Sequence, residues 1–242
     1  MYQTENMYIT SDLKMSEVII NNPYLSVILE NFSIRLPVKD KSVGEVCSEN
    51  DVKTDIFLLI ANLYNGFNHK PFHSLTHEDI KTIVLYLKNT HQYYLKEVFP
   101  EILQVLRQLA DRNKYQEMNM VDGFFAGYFE EVKEHLDYED QVVFPYVYKL
   151  YDRIGINDRQ TIDSQYSVKE YQDHHNDIEE KLNDLKNILI KYLPQKDDQP
   201  HRRKLLIRLS EIEYDISVHA KIEELILIPL VESMELELFK KK

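Results

Sequence analysis

From residue 77 onward, apolar residues recur at three- and four-residue spacing. Ile80, Ile83, Val84, Tyr86 and Leu87 carry the pattern in a stretch of about 77–111. Val121, Phe124, Phe125, Tyr128, Phe129, Val132 and Leu136 carry it over about 118–154. Ile178, Leu182, Leu185, Ile188 and Leu189 mark about 165–193, and Leu205, Leu206, Leu209, Ile212 and Ile216 mark about 200–237. This is the period of helices with one buried stripe. Helix breakers at 111–114, 155–158 and 194–200 separate the four stretches. Four long helices with short links predict an all-α fold, an antiparallel up-down four-helix bundle.

Upstream the apolar segments are shorter, at 15–20, 24–29, 43–47 and 56–64. Asn21-Asn22-Pro23, Pro37 and residues 48–51 interrupt them. The reading is a small helical N-terminal domain over 11–64, preceded by a loose end at 1–10. Asn65-Gly66-Phe67-Asn68-His69-Lys70-Pro71 is rich in breakers, so 65–76 is a linker and 77–239 the bundle domain.

Composition agrees. Only 5 Gly and 8 Pro in 242 residues leave little turn chemistry for a many-stranded sandwich or barrel. A hydrophobic content of 43% is enough for a real core and excludes wholesale disorder. The apolar run Leu225–Val231 contains Pro229 and falls far short of a membrane span, so no membrane association is expected. With 41 acids against 29 bases and no basic patch, nucleic acid is not an expected partner. The first ten residues show neither a basic start nor an apolar run, so no secretion signal is expected. Cys47 is the lone cysteine, which excludes an internal disulfide and a cysteine-based zinc or iron–sulfur site. It reads as a small buried residue rather than a thiol ligand. A cytoplasmic protein is the expectation.

The candidate chemistry lies in the histidines. His91 and His135 are 44 residues apart, as are His175 and His219. His91 to His175 and His135 to His219 both span 84 residues. Two helical hairpins therefore repeat, each with one histidine on either helix. The second histidines share their context: Glu139 and Pro145 follow His135 at the offsets at which Glu223 and Pro229 follow His219. A histidine and a glutamate at i and i+4 share one helix face, about 6 Å apart along the axis. A lone His-x-x-x-Glu is commonplace, and His175 with Glu179 makes a third. The doubled spacing with shared Glu and Pro offsets is what distinguishes the pair. His91, His135, His175 and His219, with Glu139 and Glu223 as bridges, could form a cage for two iron ions joined by the carboxylates and an oxo or hydroxo group. Imidazole with carboxylate suits iron and manganese, whereas zinc more often takes four ligands and sulfur. Pro145 and Pro229 are expected to let the helices bend around the metal layer, or to mark their last turns.

Through His91, His135-x-x-x-Glu139, Pro145, His175, His219-x-x-x-Glu223 and Pro229, residues of about 78–237 resemble the hemerythrin-like family. Within that family they resemble the iron–sulfur-cluster repair di-iron proteins. The resemblance implies iron as the metal and the six named side chains as its ligands. It implies a stress-response role, supplying iron to clusters damaged by oxidation or nitric oxide. The implied partners are iron–sulfur proteins as iron recipients and the gases O2 and NO, with a homodimer as a further expectation. Reversible O2 or NO binding, and NO reduction or peroxide turnover, are the alternatives. Oxygen carriers of the family typically end in His-x-x-x-x-Asp and carry His-x-x-x-His on the third helix. Here the last motif is His-x-x-x-Glu and the third helix has adjacent His174-His175, which favours the repair type. The repair proteins often have a Cys-Cys pair in their N-terminal domain, whereas residues 31–40 contain none.

Other features carry less. His174 is the nearest candidate for a fifth histidine ligand, but adjacent helical residues point about 100° apart. His69, His73 and His77 are spaced by four, with Pro71 between them, and read as linker rather than as a second metal patch. Tyr138 adjoins Glu139, although aromatics at helical spacing usually belong to a core. Glu130, Glu131 and Glu134 read as a solvated face.

Overall fold

The structure, a computed structural model, describes residues 7–67, 75–112, 116–156, 167–174, 178–194 and 197–239. Among these residues the regular secondary structure is all helical, with no strand; Lys14 and Ser42 form an isolated antiparallel bridge. The short apolar segments become α1 (Met15–Asn21), α2 (Leu25–Asn31), α3 (Val43–Glu49) and α4 (Thr54–Tyr64). The long stretches become α5 (Ile80–Tyr93), α6 (Phe99–Arg112), α7 (Gln116–Tyr138), α8 (Phe144–Gly155), α9 (Val168–His174), α10 (Ile178–Lys191), α11 (Gln199–Ile222) and α12 (Ile228–Phe239). No described helix is long and apolar enough to cross a membrane.

Local chemistry sets the helix starts. Ser42 caps α3 with a reciprocal pair: its Oγ accepts from Glu45 N, and the Glu45 carboxylate accepts from Ser42 N. Thr76 and Asp79 do the same for the 3-10 turn His77–Asp79 that leads into α5. The Asp79 carboxylate also accepts from Lys53 Nζ at 2.7 Å, tying the start of α4 to the start of α5.

Pairs of α-helices run together without a break through single π-helical turns: Tyr94–Val98 between α5 and α6, Glu139–Val143 between α7 and α8, and Glu223–Leu227 between α11 and α12. Each turn ends one residue before an X-Pro pair: Phe99-Pro100, Phe144-Pro145 and Ile228-Pro229. Proline lacks the N–H of an α-helical bond and its ring crowds the carbonyl four residues back. The wider π turn moves that carbonyl aside, and the preceding residue donates five residues back, Phe99 N to Tyr94 O and Ile228 N to Glu223 O. The prolines therefore do not mark last turns, since α8 and α12 each continue for 12 residues.

The chain divides into two compact units. One comprises His91–Val143 and His174–Ser217. Its core draws on four helical segments, with Phe99, Ile102 and Leu106 from the first and Val121, Phe125 and Val132 from the second. Leu182, Leu185 and Leu189 come from the third, and Leu205, Leu209 and Ile212 from the fourth. Ion pairs lace its surface: Lys181 with Glu131, Lys186 with Glu213, and Arg208 with Glu101. Glu130 and Glu134, like Glu131, are exposed, as a solvated face requires. Arg202 closes the connection before α11. It donates to Leu193 O and Pro194 O, and twice to the Asp198 carboxylate, which is 1% exposed.

The other unit comprises the chain up to Thr90, Phe144–Asp173 and the chain from Val218 on. Here α1 to α4 pack around Met15, Leu25, Ile28, Phe57 and Ile60, and α12 packs against α8. Phe32 lies 4.7 Å from the Tyr86 ring, and Asn89 Nδ2 donates to Asn31 O at the end of α2. Glu235 of α12 accepts from Tyr146 Oη at 2.5 Å and from Val168 N at 2.9 Å, securing the start of α9. Residues 7–10 are not loose: Ile9 is fully buried, and Asn62 bonds both its N and its O. Cys47 is buried, and burial pushes its thiol up to about 12 against the weaker pull of a hydrogen bond with Thr54.

Candidate metal centre

Two of the sequence-identified histidines stand around a single carboxylate, that of Glu139. Glu139, the first residue of its π turn, is fully buried. Its Oε2 lies 3.2 Å from Nε2 of His91, and its Oε1 lies 3.1 Å from Nε2 of His135. The two oxygens of one glutamate thus face two different imidazoles, from α5 and α7. The His135 contact is the i, i+4 pair read from the sequence, and the His91 contact is tertiary. The His91 side chain is fully buried and that of His135 is 15% exposed.

The second motif repeats the local geometry. His219 is near the end of α11, and Glu223 opens the π turn that follows. His219 Nε2 lies 3.2 Å from Glu223 Oε1, with both residues buried. His91 and Glu139 in one unit, and His219 and Glu223 in the other, are buried side chains that offer nitrogen and oxygen ligand atoms.

The donor set fits a metal ion. It contains imidazole nitrogen and carboxylate oxygen without thiolate, the set preferred by iron and manganese. Neighbouring ligands at right angles, with metal bonds of about 2.1 Å, would be separated by about 3 Å. The N···O contacts of 3.1–3.2 Å match that edge. A buried carboxylate such as Glu139 is favoured by a cation beside it. Protonated imidazole is one such cation. Burial opposes a charge on His91, but the Asp140 and Glu139 carboxylates outweigh it and raise its pKa to about 9. A metal ion would compete with that proton for the ring.

Of the remaining histidines, His69, His73 and His175 lie outside the described residues, as does the side chain of His174. His77 stands at the start of the 3-10 turn with Nε2 3.2 Å from the Glu78 carboxylate, which is a local pair. Two features escaped the sequence reading. One is Asp140, whose Oδ1 is 3.3 Å from Nδ1 of His91. Nothing in the spacing distinguishes it from the other acids around it. The other is the set of π turns, for which the signal was present: Pro100, Pro145 and Pro229 each lie nine or ten residues beyond His91, His135 and His219. Pro100 has no His-x-x-x-Glu before it and so did not stand out. No family model, curated protein or solved structure matches the chain.

Proposed function

We propose that the chain is a cytoplasmic, hemerythrin-like di-iron protein that supplies iron to iron–sulfur clusters damaged by oxidative or nitrosative stress. In this reading the long helices form an antiparallel four-helix bundle. His91, His135, His175 and His219 hold two iron ions, with Glu139 and Glu223 bridging them. Bound iron would supply redox and Lewis-acid chemistry.

The observation that carries the reading is the buried carboxylate of Glu139, with one oxygen at His91 and the other at His135. A carboxylate that bridges two ions needs its oxygens presented to different ligand sets. The repeated π turn at Glu223 supports a second bridge. Release of iron has a basis in the same side chains. Imidazolium and carboxylate complement each other at these distances, so protons can take the place of departing ions while the ligands keep their positions.

The test is iron analysis with Mössbauer spectroscopy on purified wild type, Glu139→Ala and Glu223→Ala, followed by transfer of labelled iron to a demetallated iron–sulfur protein. About two irons per chain in the wild type, fewer in both variants, and cluster formation in the recipient are expected. Full iron in both variants would overturn the site. Full iron in the wild type with no transfer, and a stable oxygen adduct instead, would replace iron supply with reversible gas binding.

A further inference from the structure

The two ring nitrogens of His91 face the carboxylates of consecutive residues of one π turn. Glu139 Oε2 faces Nε2 at 3.2 Å, and Asp140 Oδ1 faces Nδ1 at 3.3 Å. Successive side chains of a helix diverge by about 100°, so they rarely serve one partner. Here the ring lies between them and offers an edge to each. The His91 side chain is fully buried, while that of Asp140 is 25% exposed and lies at the rim of the group.

We propose that Asp140 is a positioning residue for the metal centre: it fixes the His91 imidazole so that Nε2 is the nitrogen presented beside Glu139. This rests on the di-iron reading above. A neutral imidazole carries one N–H and one lone pair, and which nitrogen has which depends on its neighbours. A carboxylate oxygen at Nδ1 accepts an N–H placed there, and a metal ion taken up beside Glu139 would meet Nε2. The lone pair is then on Nε2, the nitrogen on the Glu139 side. The same contact prevents ring rotation and makes Nε2 a stronger donor. Glu224, which follows Glu223 as Asp140 follows Glu139, is exposed.

The experiment compares wild type, Asp140→Ala and Asp140→Asn, each loaded with ferrous iron-57 without oxygen. Iron per chain, release to a ferrous chelator, the Mössbauer spectrum and helix content by circular dichroism are recorded. Asp140→Ala should keep its helix content and release iron about 10–100-fold faster. Asp140→Asn retains an acceptor oxygen without the charge and should fall between. One iron signal should change and the other should not, a pattern that a general loss of structure would not produce. Release and spectra indistinguishable from wild type in folded Asp140→Ala would overturn the proposal. If that variant does not fold, Asp140→Asn decides: unchanged release with an unchanged spectrum overturns it. A wild type that takes up no iron would instead overturn the di-iron reading itself.

Discussion

Asn62 and Glu139 are both buried polar residues on helices, but they are satisfied in different ways. The Asn62 amide accepts from Ile9 N at 2.8 Å and donates to Ile9 O and Leu58 O, each at 2.9 Å. It is neutral, and its bonds hold residues 7–10 against α4. Asp198 and Arg202 show the charged version of the same arrangement, one carboxylate bonded to one guanidinium. Glu139 instead faces two histidines, His91 and His135, and the pKa of His91 is raised to about 9 by the Asp140 and Glu139 carboxylates against the opposing effect of burial. Structural polar burial closes on itself within the protein. The Glu139 group has a charge balance that a cation can complete, and that difference separates a fold-holding residue from a site.

The comparison can be broken at several points. Arg202→Met should have the largest effect, about 3–5 kcal/mol of unfolding free energy, because it takes the guanidinium away from the buried Asp198 carboxylate and from two carbonyls. Chemical denaturation measures this, and iron per chain should not change. Asn62→Leu should cost about 2–4 kcal/mol, by leaving Ile9 N and O without their partner, again with iron content intact. If either variant folds but loses iron, the division between fold-holding and site residues fails.

The third prediction concerns the site alone. Ferrous iron at a hundredfold excess over its dissociation constant should add about 2.7 kcal/mol to wild-type stability. Glu223→Gln should lose this increment, while Asn62→Leu keeps it on a lower baseline. Thermal unfolding with and without iron reads both. The smallest effect concerns Cys47. Its folded thiol is raised to about 12 by burial, against an ordinary value of 9.0. The unfolded chain therefore loses this proton first, and stability falls as pH rises from about 9 toward 12. Replacing Cys47 with Ala should flatten that decline. At neutral pH, alkylation of Cys47 should be slow until the chain is unfolded.

Much of this could be read in advance, and what could not has a common cause. Helix placement follows from apolar spacing, so the segments at 15–20, 24–29, 43–47 and 56–64 all appear as helices. The i, i+4 pairs His135–Glu139 and His219–Glu223 are local and depend only on helical pitch. The contacts that were not legible cross long sequence separations. Ile9 finds Asn62 across 53 residues, and His91 finds Asp140 across nearly as many. A side chain's identity does not reveal which distant backbone or ring it will meet. Asp140 shows this most clearly, because sequence spacing makes it a neighbour of the site residue and only the position of the His91 ring gives it a role.

The π turns have a consequence for how these helices can change over time. Each holds one residue more than an α-helical path of the same length, so each is a place where a single residue has in effect been inserted. Deleting one residue between Glu139 and Pro145 would restore ordinary winding and rotate α8 by about 100° about its axis. The upstream His-Glu pair would survive intact, while the buried stripe of α8, from Phe144 to Leu150, would swing away from its packing partners. The proline beyond each turn makes that ordinary winding costly and so favours keeping the extra residue.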